Sequence, residues 1–327
     1  MIATRTVLAV PGHRYRMLES AAASAADAVF IDLEDAVPPA QKGEALKLAV
    51  RALAELDWGA KHLIVRINAH ERGVDEHEVR TLSTDAPRLD ALLVPKVEAP
   101  GTVVHVAALV AHRIGSARPV GIEALIETAR GVVDVDAIAA SSPALTALHF
   151  GVGDFSASIG ARNVEIGGTH PGYAVTRRDE AGNYQAAPLD LWSYPMMRIL
   201  VAARAFGLRA IDGPCGAFRD PMLTRAWALK AAAMGYDGKQ VIHPDQISPT
   251  LEAFVPTPAE VEAAQRTIAA MVDAEAAGMA AVSIDGKMVD FANVRMARRI
   301  IAMAGHERSG AEPLLRSGQI FTRSGID

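Results

Sequence analysis

The sequence has one cysteine in 327 residues, Cys215, and this scarcity excludes a class of folds. A single thiol cannot form a disulfide within its own chain, so the protein is not a small domain held together by disulfide bonds. Residues 1–5 also lead directly into a predicted strand, without the apolar core of a secretion signal. We therefore expect a protein of the reducing cytoplasm.

The sequence also lacks an excess of basic residues and any long apolar run. Its formal net charge is -5 at pH 7, which provides no general attraction for nucleic acids or anionic membranes. Charged residues interrupt the alanine-rich segments before they reach the roughly 20 apolar residues that a membrane-spanning helix requires. We therefore expect neither nucleic acid nor membrane among its partners, whereas a local basic pocket for a phosphorylated ligand stays compatible with the sequence.

What the sequence does contain is the composition of an ordinary globular protein. Hydrophobic residues make up 50% of the chain and charged residues 22%, proportions that allow a large core beneath a polar surface. The length accommodates one (β/α)8 barrel of about 250 residues together with a smaller appendage.

Four short apolar segments each end in charged residues. They are residues 29–35, 63–66, 124–127 and 149–154, which end in Asp32, Glu34 and Asp35, in Arg66, in Glu127 and in Asp154. Side chains alternate between the two faces of a strand, so each segment has one apolar face and one face that becomes polar at its carboxyl end. This pattern is typical of buried parallel strands that surround the active site of a TIM barrel.

Strand and helix patterns alternate along most of the chain, and eight strands can be counted. We therefore predict a TIM (β/α)8 barrel over residues 1–255, with a polar surface excursion over residues 160–188. From Thr257, which begins a capping box, the pattern is helical only. Residues 256–305 are thus predicted to form a small C-terminal helical module, and residues 306–327 a polar, flexible tail.

Four carboxylates would meet at one mouth of this barrel, namely Asp32, Glu34, Glu127 and Asp154. Their charges would repel one another, and their burial is costly unless cations join them. Arg66 and Lys96 offset only part of that charge. Two carboxylates, completed by water and a substrate oxygen, form a usual protein environment for Mg2+. A divalent metal therefore completes the cluster best, and an internal network of salt bridges is the alternative.

Several other positions are interpreted from local sequence. Arg14 and Arg16 follow the first strand, where they either hold a phosphate or lie solvated in a first helical turn. His243 either binds a ligand or begins a turn, and Asp290 is most simply the N-cap of a helix. The remaining polar candidates are assigned no chemistry: Cys215 is predicted to be a small buried residue, and His70, Glu71, His77 and Glu78 to lie on solvated surface.

Taken together, the motifs resemble those of the citrate lyase beta-subunit-like group of the HpcH/HpaI aldolases, and within it the malyl-CoA lyases most closely. The likeness extends from about Arg5 to Ala304. It is carried, in order, by Val10-Pro11-Gly12-His13-Arg14, Asp32-Leu33-Glu34-Asp35, Val65-Arg66-Ile67-Asn68, Pro95-Lys96, Ile126-Glu127-Thr128-Ala129-Arg130-Gly131, Gly153-Asp154-Phe155, Ile166-Gly167-Gly168-Thr169, Asp212-Gly213-Pro214 and Ile242-His243-Pro244.

The resemblance implies a Mg2+-dependent carbon–carbon lyase, with Mn2+ as the alternative metal, that acts on CoA thioesters as a homotrimer or homohexamer. It implies the following roles: Glu127 and Asp154 as metal ligands, Arg66 as the stabiliser of the reacting oxygen, Glu34 and Asp35 as acidic residues behind or beside the metal, and Arg14 as a contact of the CoA phosphates. We predict Glu34 and Asp35 to be catalytic together with Arg66, and Arg16, Lys96 and His243 to bind CoA together with Arg14. Asp290 matches an aspartate that the C-terminal lid of a neighbouring subunit delivers, which replaces the N-cap interpretation by a catalytic one.

The implied reaction is the reversible cleavage of a 3-hydroxyacyl-CoA such as malyl-CoA into acetyl-CoA and glyoxylate. Ser20 stands where relatives often have a lysine that binds CoA phosphate, a departure for which Arg16 would have to compensate. The alternatives are a citryl-thioester lyase, a β-methylmalyl-CoA lyase, a malyl-CoA thioesterase, a metal-dependent aldolase of free 2-oxo acids, and a non-catalytic assembly subunit.

Overall fold

The computed structural model describes residues 4–70, 73–111, 119–162 and 165–305. The chain divides into two compact units, one that ends at Phe254 and one that begins at Val255. Within the described ranges, no helix has both the length and the apolar content needed to cross a membrane. The predicted tail over residues 306–327 lies outside the described residues.

The first unit contains a closed barrel of eight parallel strands, which confirms the predicted TIM barrel. Each strand pairs with the next one in the barrel sequence, and the last pairs with the first. Strands β1 to β8 are Thr6–Pro11, Ala28–Asp32, His62–Arg66, Ala91–Val94, Gly121–Ile126, Leu145–Phe150, Arg209–Asp212 and Gly238–Val241.

Helices connect these strands. They are Tyr15–Ala22, Lys42–Glu55, Glu76–Asp85, Pro100–Val110, Ala129–Val133, Val135–Ala139, Val152–Ser158, Ser193–Ala205, Pro221–Met234 and Ile247–Phe254, with 3-10 turns at Pro39–Gln41 and Pro244–Gln246. The first helix ends at Ala22, and Ser24 Oγ donates to the carbonyl of Ala21 at 2.7 Å just beyond its end.

Alternate side chains of each strand belong to different apolar clusters, as the sequence pattern predicts. In β2, Val29 and Ile31 pack into the large cluster shared with the helices, and Leu33 continues this face. Phe30 lies instead in a smaller cluster that is formed by strand residues alone and fills the barrel lumen. The strands are therefore buried on both faces, which leaves their carboxyl ends as the place for polar groups.

A polar network, which the sequence analysis does not predict, fills another part of the lumen. Glu123 of β5 is fully buried, and its carboxylate has three hydrogen-bond partners. Arg209 donates to it at 2.5 Å, and ring nitrogens of His62 and His149 lie 2.9 Å and 2.6 Å from it. Gln240 contacts the other ring nitrogen of His149 at 3.0 Å. Burial works to raise the pKa of Glu123, but the charge of Arg209 and the bonds to His149 and His62 outweigh it and hold that pKa well below its usual value.

The described residues of the predicted surface excursion, 160–162 and 165–188, include an antiparallel hairpin. Ala174–Arg178 pairs with Tyr184–Pro188, and nearly all of these residues are exposed. A second, very short hairpin joins Ala69–His70 to Gly73–Val74 after β3.

Over its described residues the second unit has two helices, Pro258–Ala276 and Phe291–Gly305, and the expected capping box begins the first of them. The expectation of helices alone is wrong, because an antiparallel hairpin pairs Ala281–Ile284 with Lys287–Asp290. Its turn, Asp285-Gly286, has φ angles of 49° and 74°, the left-handed backbone that this residue pair favours in two-residue hairpin turns.

Candidate active site

Arg66 and Asp32 form the centre of the barrel mouth. They are the last residues of β3 and β2 and are paired in register. The guanidinium donates from Nε to Oδ1 at 2.7 Å and from Nη2 to Oδ2 at 2.6 Å, a bidentate ion pair. Burial works to raise the pKa of Asp32, but Arg66 and the backbone N–H groups of Glu34 and Ala36 outweigh it and leave that pKa below its usual value.

Glu34 and Asp35 lie in the turn that follows β2, beside this pair. Glu34 is buried, with Oε1 2.5 Å from Lys96 Nζ and Oε2 3.4 Å from Arg66 Nη1. Asp35 is half exposed and lies 3.7 Å from Arg66 Nη1. Burial is the main reason that the pKa of Glu34 is raised. Its Oε2 is buried and makes no hydrogen bond within the described part of the chain, so one acceptor at the mouth is unused.

Lys96 joins the two acidic sides of the mouth. Its φ of 50° is in the left-handed region, which is uncommon outside glycine. In this conformation its backbone N–H donates to Glu127 Oε1 at 2.8 Å. Its Nζ lies 3.8 Å from Asp35 Oδ1 and 3.8 Å from Asp154 Oδ2, in addition to its contact with Glu34. Burial works to lower the pKa of Lys96, but Glu34 outweighs it and raises that pKa.

Glu127 and Asp154 supply the third side of the mouth. Glu127 follows β5 and is 2% exposed, whereas Asp154 lies in the first turn of the helix Val152–Ser158 and is half exposed. Burial, and then the nearby charge of Asp154, raise the pKa of Glu127 to about 8. Two carboxylates that destabilise each other's charge in this way form a site that favours a cation.

Gly151 makes room for Glu127. A Cβ added to Gly151 would lie 2.3 Å from the Glu127 Cβ and 2.5 Å from its Oε2, so only glycine fits. Gly151 is also the N-cap of the helix Val152–Ser158, which carries Asp154, so one glycine serves both carboxylates.

The donor set fits a hard divalent metal, but with few protein ligands. Within the described ranges, no three His, Cys, Asp or Glu side chains come together in a geometry that could hold a metal ion. Two oxygen donors with water and substrate completing the coordination would be typical of Mg2+. The mutual repulsion of Glu127 and Asp154 and the unused buried oxygen of Glu34 both agree with a cation at this mouth.

The residues predicted to bind CoA are distributed around the barrel rim. Arg14 is exposed at the start of the helix Tyr15–Ala22, and its Nε donates to His13 Nε2 at 3.0 Å. Arg16 and Ser20 are exposed on the same helix, where the Ser20 hydroxyl donates to the Arg16 carbonyl at 2.9 Å. Lys96, in contrast, has its ammonium group on the carboxylates of the mouth.

His243 follows β8 and has local partners. Its Nδ1 accepts from the backbone N–H of Asp245 at 3.2 Å, and its ring lies 4.9 Å from that of Phe218. These contacts are those of a turn-forming residue, one of the two interpretations that the sequence left open. A role in ligand binding stays a prediction.

Asp290 acts as a cap within the second unit. It is the last residue of the hairpin, and its Oδ1 accepts from the backbone N–H of Ala292 at 2.7 Å and of Asn293 at 3.4 Å. The carboxylate thus binds the start of the helix Phe291–Gly305, as the local sequence indicates. Its catalytic role stays a prediction.

The structure corrects one interpretation of a polar residue and adds others. Glu78 was expected on solvated surface but is 5% exposed, because both its oxygens accept hydrogen bonds from Asn68. His70 and His77 are exposed as expected, Glu71 lies outside the described residues, and Cys215 is buried as expected.

Sequence reasoning missed Lys42, whose Nζ donates to the turn after β2. The Asp75-x-x-Glu78 spacing of a helix start was the available signal for the buried Glu78.

The family to which the chain belongs follows from its similarity to known proteins. The sequence profile of the HpcH/HpaI aldolase/citrate lyase family matches residues 5–244. The chain belongs to this family. The predicted resemblance and the prediction of an enzyme of the carbon–carbon lyase class are thereby confirmed.

Three known proteins are similar to this chain over most of its length. An L-malyl-CoA/beta-methylmalyl-CoA lyase of Cereibacter sphaeroides is 38% identical over 298 residues, which are 90% of this chain and 92% of that protein. A (3S)-malyl-CoA thioesterase of the same species is 35% identical over 300 residues, or 92% and 94% of the two chains. A crystal structure of CitE from Mycobacterium tuberculosis with magnesium, acetoacetate and coenzyme A has a TM-score of 0.70 at 29% identity and covers 93% and 98% of the two chains.

Proposed function

We propose that this protein is a Mg2+-dependent carbon–carbon lyase that reversibly cleaves a 3-hydroxyacyl-CoA thioester, such as malyl-CoA, into acetyl-CoA and glyoxylate. The observation that carries the proposal is the carboxylate pair of Glu127 and Asp154 beside the Arg66 guanidinium at the barrel mouth. The similarity to a malyl-CoA lyase over nine tenths of the chain supports the choice of substrate class.

Glu127 and Asp154 would hold the metal, with Mn2+ as an alternative to Mg2+. The metal supplies Lewis-acid polarisation of the substrate oxygens when it is bound. The magnesium in the similar CitE structure supports this assignment. Gly151 leaves the space that keeps Glu127 in place, and Lys96 fixes Glu127 Oε1 through its backbone N–H.

Arg66 would stabilise charge on the oxygen that changes from hydroxyl to carbonyl. Its Nε and Nη2 are held by Asp32, which fixes the orientation of the guanidinium plane. Its Nη1 lies 3.4 Å from Glu34 Oε2 and 3.7 Å from Asp35 Oδ2. A fixed donor of this kind costs no reorganisation during the reaction, which is how preorganised electrostatic groups accelerate a chemical step.

Cleavage breaks the bond between the hydroxyl-bearing carbon and the carbon next to the thioester carbonyl. The hydroxyl loses its proton as the aldehyde of glyoxylate forms, and the electron pair of the broken bond passes to the acetyl thioester as an enolate. Asp290 would protonate that carbon as a general acid and would remove the same proton in the reverse direction. In this proposal a neighbouring subunit of a homotrimer or homohexamer supplies Asp290 on its C-terminal lid.

Arg14 and Arg16 would bind the phosphates of CoA at the rim beside β1. Both are exposed at the start of one helix, and arginine is suited to phosphate because of its planar array of donors. Ser20 adds no positive charge here, so the affinity for CoA would depend on these two arginines. Lys96 and His243 are weaker candidates, since both have partners within the barrel unit.

A thioesterase is the second candidate function. It is favoured by the 35% identity to a (3S)-malyl-CoA thioesterase, which covers almost the same length as the similarity to the lyase. Hydrolysis of malyl-CoA would use the same mouth but release free CoA and malate. Citryl-thioester cleavage and 2-oxo acid aldol chemistry would use the same mouth, but the relatives at 38% and 35% identity are named for malyl-CoA. A non-catalytic assembly role does not require Glu127, Asp154 and Arg66 at one mouth.

Mass spectrometry of CoA products separates these functions. Purified protein is mixed with glyoxylate and either acetyl-CoA or propionyl-CoA, once with Mg2+ and once with EDTA. The proposal predicts that malyl-CoA or β-methylmalyl-CoA forms only when Mg2+ is present. A thioesterase would form neither product from these mixtures but would release free CoA and malate when it is supplied with malyl-CoA. A complete lack of products in both assays would contradict the lyase assignment for these substrates.

A further inference from the structure

The turn that carries Glu34 and Asp35 is held from its inner side by Asp32. Asp32 Oδ1 accepts from the backbone N–H of Glu34, and Oδ2 accepts from that of Ala36, both at 2.9 Å. The same carboxylate binds Arg66, so the ion pair and the turn share one anchor. These contacts fix the N–H groups of the turn but leave its carbonyl groups to other partners.

Lys42 binds those carbonyl groups from the outer side. Its Nζ, on the first residue of the helix Lys42–Glu55, donates to Leu33 O at 3.2 Å and to Glu34 O at 3.0 Å. It also donates to Asn68 Oδ1. Asn68 Nδ2 in turn donates to Leu33 O at 2.9 Å, so the carbonyl of Leu33 receives two hydrogen bonds.

Asn68 is itself held at every polar group. Its backbone N–H and its Nδ2 donate to the two oxygens of Glu78, at 2.7 Å and 2.6 Å. Its carbonyl accepts from the backbone N–H of Asp75 at 2.9 Å, and Asp75 Oδ1 caps the N–H of Glu78 at 3.1 Å. Because Asn68 follows Arg66 by two residues, this arrangement connects the segments after β2 and β3.

We propose that Lys42, Asn68 and Glu78 are positioning residues for the reaction proposed above. They hold the turn at Leu33–Asp35 so that the carboxylates of Glu34 and Asp35 face Arg66 and Lys96. The inference rests on the proposed function but goes beyond it, since none of the three is placed in contact with substrate or metal.

The energetic reason favours this role over simple packing. Burying a glutamate, and partly burying a lysine, costs more than burying apolar side chains of similar volume, so their presence here points to a requirement for their hydrogen bonds. The side-chain hydrogen bonds given above for Lys42 and Glu78 all end on the turn or on the asparagine that binds it. Partners of this kind beside a catalytic site commonly contribute about 10- to 100-fold to activity or metal affinity.

The first test replaces Lys42 by methionine, which keeps the length of the side chain and removes the donors. For Lys42→Met we expect kcat to fall by about tenfold or more, while KM for the CoA thioester changes by less than about twofold. Lys42→Arg retains N–H donors and should keep more activity. The matched control is Lys47→Met, an exposed lysine on the same helix, for which no change is expected.

The second test replaces Glu78 by glutamine. A glutamine offers one acceptor where Asn68 presents two donors, so one hydrogen bond is lost and the side-chain volume is kept. We expect the same split between kcat and KM as for Lys42→Met. Glu76→Gln, an exposed change in the same helical turn, is the matched control.

Hydrogen exchange provides a readout that does not depend on activity. In Lys42→Met, the backbone N–H groups of Glu34 and Ala36 should exchange faster than in the wild type and in Lys47→Met, as measured by mass spectrometry of peptides over residues 33–38. If the wild type forms no hydroxyacyl-CoA, the proposed function fails, and the exchange rates still test whether Lys42 holds the turn. Unchanged exchange in Lys42→Met, or faster exchange with unchanged kcat in an active enzyme, would overturn the positioning role.

Discussion

Gly151 and Glu127 are in such close contact that a methyl group does not fit between them. A Cβ on Gly151 would come within 2.3 Å of the Glu127 Cβ, a distance that forces one of the two segments to move. Gly151 follows β6 and Glu127 follows β5, so the fit depends on the pairing of these two strands. The position of the buried carboxylate is therefore controlled by a residue that has no functional group.

Gly151→Ala should displace Glu127 and reduce activity without unfolding the barrel. We expect kcat/KM for thioester cleavage to fall by about 10²-fold, the usual result of a small misplacement of a catalytic group, and the Mg2+ concentration for half-maximal rate to rise. Gly153→Ala is the control, because an added Cβ there would meet Ile166 at an ordinary 3.8 Å. Equal activities of the two variants would disprove the proposed role of Gly151.

Asp32→Asn should destabilise the protein strongly. It removes the carboxylate paired most closely with the part-buried Arg66, and breaking a buried ion pair typically costs about 3–5 kcal/mol. Glu34 at 3.4 Å and Asp35 at 3.7 Å remain beside the guanidinium, so we expect a loss at the lower end of this range. Urea unfolding followed by circular dichroism measures this loss. Glu55→Gln, which breaks the exposed pair with Arg51, should have little effect. A small effect of Asp32→Asn would indicate that solvent reaches Arg66 freely.

The histidine network inside the barrel should make stability depend on pH. Burial works to lower the pKa of His62, but its bonds to Asp90 and Glu123 outweigh it and raise that pKa above 6.5. A raised pKa stabilises the folded state most below pH 6.5, and the contribution is lost as the pH rises through the folded-state pKa. His62→Gln should thus lower the free energy of unfolding more at pH 6 than at pH 8.5. An equal loss at both pH values would show that the charge on His62 does not contribute.

Asp290→Asn separates capping from catalysis. Asparagine is as good an N-cap as aspartate, so the melting temperature should not change. The variant cannot transfer a proton, and we expect it to lose thioester cleavage and the exchange of deuterium into acetyl-CoA. Asp290→Ala should lose the cap as well and show a lower melting temperature. Full activity of Asp290→Asn would leave Asp290 as a helix cap only.

The barrel and the charged strand ends were predictable because they depend on local patterns. Apolar runs that end in Asp32, Arg66 and Glu127 indicate strand direction and mouth together, and their order in the chain fixes their order around the barrel. The bonds of Asn68 and Glu78 were not predictable, because both residues lie in polar stretches that also suit a solvated surface. The same holds for Glu123, whose partners come from strands β3, β6 and β7. Contacts between distant segments leave no periodic signal in one sequence.

The most direct test of the central claim is the Mg2+ dependence of malyl-CoA formation in Asp154→Asn. Acetyl-CoA and glyoxylate are supplied to the wild type and the variant over a series of Mg2+ concentrations, and the CoA products are measured by mass spectrometry. If Glu127 and Asp154 hold the metal for carbon–carbon bond chemistry, the wild type forms malyl-CoA as Mg2+ is added and the variant does not respond. An unchanged Mg2+ response in Asp154→Asn would contradict the account.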